Sequence, residues 1–397
     1  MVIPEIAKWA GFKGIDLIGT GDFTHPLWFS ELEKNLTPLN SGLYTYKNTQ
    51  KLKFILTSEI SSIYTQGGRV RKVHNLIIAP SLKAVSELNK NLQKIGNIHS
   101  DGRPILGISS KNLAKLIFKI DPNFMMIPAH AWTPWFSVFG SKSGFDSLEE
   151  CFQELTPKIH AIETGLSSDP EMNWQVFKLD PITLISCSDA HSPANLGREA
   201  TVFEIADSTE ISYTLITELI KSAKFASRSA KSVLTNTLEF FPEEGMYHFD
   251  GHRNCGNLSM HPDKSKLLGK ICPRCKKEMT IGVLSRVCDL ADKKNRTKPD
   301  NFPSSIHLVP LQEIIAESFG VGKASKKVQN KYLQIVSEIG NEFDILLYKS
   351  IDELKNSLDY KIIDGIRRVR EGKVEAVPGY DGVYGSIKVF GGDFEKI

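Results

Sequence analysis

Short apolar runs alternate with longer amphipathic stretches through the first half of the chain. Runs rich in β-branched and other apolar side chains predict strands at 15–19, 54–59, 73–79, 124–130, 160–164, 182–191 and 201–205. Helical periodicity lies between or after them, at 3–10, 82–95, 110–120 and 211–223. This alternation is typical of α/β folds, and the runs that are apolar throughout favour parallel strands covered on both faces.

A polar or ionisable residue follows the end of several of these strands. Since the carboxyl ends of the strands carry the chemistry in parallel barrels, the pattern predicts a barrel over 1–239. The pattern changes after about 240, with a Cys- and His-containing segment at 240–299 and a largely helical region at 300–397. We therefore expect three domains with these boundaries.

Composition narrows the class of protein. The chain has 397 residues, of which 41% are hydrophobic and 24% charged, which excludes disordered and collagen-like proteins. No apolar run in the sequence approaches the roughly 20 residues that a bilayer span needs, and the N-terminus lacks the layout of a secretory signal. The sequence therefore predicts a cytoplasmic protein with no membrane partner.

The formal net charge of +3 hides a strong asymmetry. Residues 250–331 contain 16 Lys or Arg against 8 Asp or Glu, a local charge of +8 that leaves −5 for the remainder. A basic segment beside an acidic region favours binding to a phosphate backbone, although a solvated charged face is the plainer alternative. The candidate contacts are Arg274, Lys276, Lys277 and Lys323. Lys323 lies in a Gly-rich turn, 320–325, which leads into a predicted helix at 326–339 and lacks Walker-loop spacing.

Carboxylates and imidazoles recur at the predicted strands. The candidates are Asp22, His25, Glu59, His74, His130, Asp189 and His191. Each alone is more often structural, but together they predict a multinuclear metal-dependent hydrolase, in which Glu59, Asp189 and His191 are the catalytic candidates. Asp189 and His191 are two residues apart, so on a strand both side chains would face the same way.

Two pairs of soft ligands predict a second metal site. These are His252, Cys255, Cys272 and Cys275, two pairs with two-residue spacers. Their spacing is typical of a closed tetrahedral zinc site that stabilises a short segment. A redox Cys-x-x-Cys is the weaker alternative, and His248 or His261 is an alternative to His252.

Aromatic residues follow His130 in a predicted loop. Trp132 and Trp135 are candidates to stack on nucleic-acid bases, with core packing of at least one of them as the alternative. Tyr380 and Tyr384, in the turn PGYDGVYG, are further candidates for reading a base.

Taken together, the segments GTGDFTHP, AHAWTPWFSVFG, IETGLSSDP, CSDAHSPANLGRE, YHFDGHRNCGN, ICPRCKKEMTIGVLSR and PGYDGVYG resemble the endonuclease Q family, almost from end to end. The resemblance implies a distorted (β/α)7 barrel of the polymerase-and-histidinol-phosphatase (PHP) type, a zinc finger and a helical C-terminal region. It also implies a DNA repair endonuclease that cuts 5′ to deaminated bases, such as uracil or hypoxanthine, or to abasic sites. The seven barrel residues named above would then be metal ligands, and Glu163 a further active-site residue.

PHP proteins open with a strand that carries His-x-His, whereas here Met1 is followed at once by the helix expected after it. The expectation is that the first barrel strand and part of the metal site are missing. A truncated gene model or fragment is one explanation. A protein with weakened metal binding and impaired nuclease activity is the other.

Three functions remain open. The leading hypothesis is the lesion-specific endonuclease, with Zn²⁺ in the structural and catalytic sites, or Mg²⁺ or Mn²⁺ in the latter, and damaged double- or single-stranded DNA as partner. A sliding clamp is a further candidate partner. The alternatives are a non-catalytic DNA-binding protein with a degraded metal site and a general PHP-type phosphoesterase.

Overall fold

The structure is a computed structural model, which describes residues 1–47, 49, 51–100, 102–223, 231–292, 296–300 and 302–391. Its strands are β1 Leu17–Gly19, β2 Leu36–Pro38, β3 Tyr44–Tyr46, β4 Lys53–Gln66, β5 Arg69–Ala79, β6 Ile105–Leu106, β7 Met125–Pro128, β8 Ala161–Glu163, β9 Thr183–Ile185, β10 Ala200–Glu204, β11 Val233–Glu239, β12 Asp250–His252, β13 Leu258–Met260, β14 Ser304–His307, β15 Glu375–Val377 and β16 Ser386–Lys388.

The helices are α1 Ile3–Lys13, α2 Pro26–Asn35, α3 Leu82–Leu92, α4 Ser110–Ile120, α5 Leu148–Phe152, α6 Pro170–Asn173, α7 Tyr213–Ser222, α8 Pro262–Leu267, α9 Val283–Leu290, α10 Leu311–Phe319, α11 Lys326–Glu338, α12 Ile351–Lys355 and α13 Tyr360–Arg370. The mixed α/β class predicted from the sequence is confirmed. Each of the seven predicted strands overlaps an observed one.

The largest sheet is built around the long hairpin of β4 and β5. Its strands run in the order β2-β3-β4-β5-β7, and β1 and β6 also pair with β4. Only β1 and β6 are parallel to β4, whereas β5 is antiparallel to both β4 and β7. The expectation that successive strands here run parallel is therefore wrong, because a two-residue turn at 67–68 joins β4 directly to β5.

The other strands of the first half form smaller sheets. β8 and β9 pair in parallel, and β10, β11 and β14 form a three-stranded sheet in which β14 is parallel to β11. Among the described residues these hydrogen-bonded ladders do not join into one closed barrel. A cavity of about 1590 Å³ lies between them, and residues from both β1 and β9 line it.

Helices cover the main sheet and supply its core. Ser81 and Ser109 cap α3 and α4 by accepting hydrogen bonds from the backbone N–H groups of Ala84 and Asn112. The apolar faces of these helices pack against β4 and β5 in the largest buried cluster, which also contains Trp132. Because β4 is buried along most of its length, its polar side chains bond to neighbouring elements, as Ser58 does with Thr24 and Ser62 with Asn75 of β5.

A small hairpin, β12 and β13, precedes the Cys-x-x-Cys segment, and α9 follows it. Val283 and Val287 of α9 belong to the same buried cluster as the main sheet. The helices α10 to α13 build a second core around Ile314, Tyr332 and Ile366. Residues 293–295 and 301 lie outside the described residues, and β14, which follows them, pairs with β11.

A buried ion pair connects the first helix to this second core. Lys13 Nζ lies 2.7 Å from Glu342 Oε2, and both side chains are almost fully buried. Tyr332 donates its hydroxyl hydrogen to the same oxygen at 2.7 Å, and Glu342 Oε1 accepts from the N–H of Leu311. Both charges are therefore paired and hydrogen-bonded.

In the part of the chain that the structure describes, no helix is long and apolar enough to cross a membrane.

Candidate metal centre

Three predicted ligands, Glu59, His74 and His130, converge on one point. His74 Nδ1 lies 2.8 Å from Glu59 Oε1, and His130 Nε2 lies 3.3 Å from the same oxygen. The two imidazole nitrogens are 3.0 Å apart. All three potential ligand atoms lie within 4.8 Å of one another, so one cation could contact them together.

Sheet register produces this convergence. Ser61 is opposite His74 in the β4–β5 ladder, so Glu59, two residues earlier, projects from the same face as His74. His130 comes two residues after β7, which pairs with β5. The ligands thus lie within a sheet and just after it. His74 lies within its strand as predicted, whereas Glu59 is in the middle of β4 rather than at its end.

The backbone at His130 is held in an unusual conformation. His130 has a φ of +31°, and its N–H donates to Glu163 Oε2 at 2.7 Å. A Cβ atom on Gly165 would lie 2.5 Å from His130 Cβ, so only glycine fits there. Glu163 and Gly165, both in the segment IETGLSS, therefore position His130. Of these, the sequence pointed only to Glu163, and Gly165 was missed.

Hydrogen bonding assigns the tautomer of His130. Thr133 Oγ1 donates to Trp135 O at 2.9 Å and therefore accepts from His130 Nδ1, at 3.1 Å. A neutral His130 then has its lone pair on Nε2, which faces the Glu59 carboxylate. Either a proton on Nε2 or a metal ion between the two atoms would relieve this contact, so the donor set fits a bound metal ion.

The electrostatics of the three groups are coupled. Burial acts to raise the pKa of Glu59, but hydrogen bonds from His130 and His74 and the charge of Arg103 outweigh it and hold the pKa well below its usual range. Burial lowers the pKa of His74, which favours the neutral imidazole that metals bind. Burial and the nearby charge of Glu59 raise the pKa of Glu163 to about 7, although the charge of His130 opposes this.

Four more predicted ligands lie around the same cavity. Asp22, His25, Asp189 and His191 line it together with Glu59. His191 Nδ1 lies 3.0 Å from the backbone oxygen of Asp189, and His25 Nε2 lies 3.2 Å from His99 O. Asp189 and His191 are not on a strand, because β9 ends at Ile185 and Asp189 has a φ of +40°. The alternation argument for this pair is therefore wrong, although both residues reach the cavity.

Arg103 is the residue that sequence reasoning missed. Its guanidinium lies between Glu59 and Asp189, at 3.3 Å from a carboxylate oxygen of each. It stands in the segment DGRPILG, which has neither the residue types nor the spacing of a ligand motif. Only the pairing of β6 with β4 brings it to the centre.

The second predicted site is a compact group. His252, Cys255, Cys272 and Cys275 have ligand atoms within 4.8 Å of one another. Cys275 Sγ lies 3.2 Å from His252 Nδ1. Burial acts to raise the pKa of Cys272, but backbone N–H groups of Cys275 and Arg274 and the His252 ring lower it to about 6, which favours the thiolate that binds metals. Neither His248 nor His261 is part of this group among the described residues.

The two tryptophans of the predicted DNA-contacting loop have different environments. Trp132 is 1% exposed, and its Nε1 donates to Asn173 Oδ1 at 2.7 Å. It is a core residue, which corrects the prediction that it contacts DNA. Trp135 is partly exposed, and its ring packs edge-on against Tyr247 with 5.4 Å between centroids.

The predicted basic contacts are exposed. Arg274 donates to Cys255 O at 2.5 Å, Lys276 and Lys277 extend from the Cys-x-x-Cys turn, and Lys323 pairs with Glu313. Ser325 caps α11 by accepting a hydrogen bond from the N–H of Val328, so one of the first N–H groups of this helix is already bonded. The Gly-rich turn before Ser325 connects α10 to α11. The 378–385 turn packs beside β12, where Tyr380 bridges to Phe249, while Tyr384 is 72% exposed.

The fold and its sites define a mixed α/β protein with two of the predicted groups of candidate metal ligands, one beside a large cavity and one in a short Cys/His segment. Asp169, Glu171 and His307 form a third group of candidate ligands among the described residues. The chain is similar to the crystal structure of the lesion-specific endonuclease PfuEndoQ from Pyrococcus furiosus, with a TM-score of 0.83 and 31% identity over 100% of this chain and 93% of that one. A structure of Endonuclease Q with a 27-mer duplex substrate carrying an abasic lesion at the active site matches with the same score and identity, and 94% of that chain is covered. The chain belongs to the endonuclease Q family.

Sequence comparison agrees. The chain is 29% identical over 386 residues to the uncharacterized protein YqxK of Bacillus subtilis, which covers 95% of this chain and 89% of that protein. It is 32% identical over 262 residues to the uncharacterized protein MJ0043 of Methanocaldococcus jannaschii, and this match spans 31% of that protein. Residues 310–373 match the family described as the MJ0043 C-terminal domain.

Proposed function

We propose that this chain is a metal-dependent DNA repair endonuclease that cuts the phosphodiester 5′ to a deaminated base, uracil or hypoxanthine, or to an abasic site. The observation that carries the proposal is the convergence of Glu59, His74 and His130 on one point, in a chain that matches endonuclease Q structures over its whole length. One of those structures holds a duplex with an abasic lesion at its active site.

The roles of the side chains follow from their positions. Glu59, His74 and His130 hold a divalent cation, and Asp189, with Asp22, His25 and His191 along the same cavity, holds further cations. A divalent ion bound there supplies a more acidic water and neutralises charge on the phosphodiester. Glu163 keeps the backbone of His130 in place, and Thr133 keeps its Nε2 available.

The remaining expectations complete the proposal. The strands of 1–239 build a PHP-type (β/α)7 barrel, 240–299 a zinc finger with Zn²⁺ on His252, Cys255, Cys272 and Cys275, and 300–397 a helical region that contacts DNA. Trp135, Tyr380, Tyr384 and the basic residues Arg274, Lys276, Lys277 and Lys323 contact DNA. A cytoplasmic location and a sliding-clamp partner stay predictions.

Incision of a labelled duplex with one deoxyuridine, deoxyinosine or abasic site tests this function, with Mn²⁺, Mg²⁺ or Zn²⁺ supplied. We expect a nick 5′ to the lesion that EDTA prevents. Glu59→Gln should lower the rate of incision at least about a thousand-fold, because it removes the negative charge that His74, His130 and Arg103 all contact. Arg69→Gln is the matched control, since Arg69 is exposed at the start of β5, next to the turn at 67–68. Intact duplexes with every metal would contradict the proposal.

A non-catalytic DNA-binding protein is the second candidate. The observation that favours it is the guanidinium of Arg103, which balances the Glu59 and Asp189 carboxylates without a metal ion. This candidate predicts salt-sensitive binding to lesion DNA without incision, and Asp189→Asn should then change no activity.

A further inference from the structure

Arg103 is anchored at the start of β6, next to the candidate metal centre. The N–H of Ser61 donates to Pro104 O at 2.9 Å, and β6 then continues parallel to β4. Gly102, with a φ of +77°, turns the chain immediately before Arg103. The sheet therefore fixes the Arg103 backbone beside the strand that carries Glu59.

The guanidinium is shared among three candidate ligands. Its Nε lies 3.3 Å from Glu59 Oε1, its Nη1 3.2 Å from His74 Nδ1, and its Nη2 3.3 Å from Asp189 Oδ1. Charge-assisted hydrogen bonds in optimised pairs are shorter, at about 2.7–2.9 Å. The Arg103 side chain is also 28% exposed, and it lines the cavity. It is thus held by several weak contacts rather than by one strong ion pair.

The contact with His74 conflicts with the rest of the centre. His74 Nδ1 lies 2.8 Å from Glu59 Oε1 and 3.2 Å from Arg103 Nη1. An imidazole nitrogen either donates or accepts, so it cannot donate to Glu59 and accept from Arg103 at once. A cation held by Glu59 and His74 would use the same lone pairs that face the guanidinium. The cation and the guanidinium therefore exclude each other at this point.

We propose that Arg103 binds the substrate phosphate at this centre, and that metal binding releases it from Glu59, His74 and Asp189. The inference rests on the proposed function and deepens it. A divalent cation repels the guanidinium, whose parallel N–H groups match phosphate oxygens. Arg198, also near Asp189, already donates to Ser188 O and Asp189 O at 2.8 and 3.2 Å. Unlike Arg198, Arg103 therefore has no backbone carbonyl among the described residues that fixes its guanidinium, and it is the arginine available to bind a phosphate in the cavity.

The test uses the full chain and two binding measurements that do not depend on cleavage. Free Mn²⁺ is followed by electron paramagnetic resonance, and binding of inorganic phosphate to the Mn²⁺-loaded protein by calorimetry. We expect Arg103→Gln to bind Mn²⁺ about tenfold more tightly, because a competing positive charge is gone, and phosphate at least about tenfold more weakly. Arg103→Lys should keep the wild-type Mn²⁺ affinity but bind phosphate several-fold more weakly, since it lacks the fork. Arg69→Gln, exposed at the start of β5, is the control.

Cleavage of a lesion duplex adds a third measurement. Arg103→Gln should lower kcat about a hundred-fold and raise KM several-fold, as expected for a donor that holds the substrate phosphate and also acts on the developing charge. If Arg103→Gln binds phosphate as tightly as the wild type, the inference is overturned. A lower Mn²⁺ affinity in this variant would also overturn it, because Arg103 would then be a residue that positions the metal ligands. If the wild type binds phosphate through Arg103 but cuts no DNA, the proposed function fails and the assignment of Arg103 stands.

Discussion

The two candidate metal groups are built in opposite ways. The Cys/His group comes from a segment of 24 residues, 252–275, with a hairpin on one side and a buried core of only Met260, Cys272 and Met279 around it. Glu59, His74 and His130 come from separate elements of a sheet whose core extends through the whole first half of the chain. The first group therefore has little apolar core to hold it together without a metal, whereas the second is positioned by an extensive core.

The largest expected effect tests that dependence. Cys272→Ser should remove one zinc per chain and unfold the segment around 250–282, since structural zinc is worth roughly 10 kcal/mol or more in small fingers. Metal analysis and amide hydrogen exchange measure both effects. Protection in β4 and β5 should persist. Cys288→Ser, outside the group, is the control, and equal loss of protection in β4 would refute the contrast between the two regions.

The two tryptophans separate core from surface along the loop after His130. Trp132→Ala should lower the free energy of unfolding by about 3–5 kcal/mol, because it leaves a cavity in the main core. Trp135→Ala should change stability little but weaken binding to single-stranded DNA by about 1–3 kcal/mol, if its exposed ring stacks on a base. Urea unfolding and fluorescence anisotropy measure the two quantities. A Trp132→Ala protein of wild-type stability would show that this loop does not belong to the core.

A pH series tests a partly buried carboxyl group, Glu244, outside both candidate metal groups. Burial and the charges of Glu313 and Glu243 raise the pKa of Glu244 to about 8, from 4.5, against the opposing charges of Lys323 and Arg198. The folded protein therefore retains a proton that the unfolded chain releases near pH 4.5, so the free energy of unfolding falls as the pH rises from about 4.5 to 8.

The variant Glu244→Gln removes this titration. Between pH 5 and pH 9 the wild type should lose about 2 kcal/mol more stability than the variant, less than the full shift would give because the group is partly exposed. Urea unfolding at the two pH values measures the difference. The exposed Glu338→Gln is the control, and parallel pH profiles for wild type and Glu244→Gln would contradict the prediction.

The smallest effect concerns the basic surface of the Cys/His segment. Lys276 and Lys277 are exposed beside the Cys-x-x-Cys turn. Replacing both with Gln should make the slope of log affinity against log salt shallower by about 2, with equal weakening for damaged and undamaged DNA. Lys90→Gln, exposed on α3, should leave the slope unchanged. An unaltered slope in the double variant would show that this surface does not contact DNA.

Sequence patterns predicted the ligand residues better than their arrangement. All seven predicted strands exist, but their direction could not be read, because β4 is buried on both faces along most of its length and its pattern is the same in either orientation. The Cys/His group was found from local spacing, which contains its geometry. Arg103 was missed because its position depends on β6 pairing with β4, and Trp132 differs from Trp135 only in tertiary burial.

The β4–β5 hairpin also restricts how this family can vary in length. Glu59 and His74 share a face only because Ser61 is opposite His74, and side chains alternate with a period of two. An insertion or deletion that moves one strand by a single residue would place one ligand on the opposite face. Natural homologues should therefore differ in length only near the turn of this hairpin, where the pairing of Ser61 with His74 is unaffected. The turn at Gly67 and Gly68 is the place where residues can be added or lost without moving either ligand.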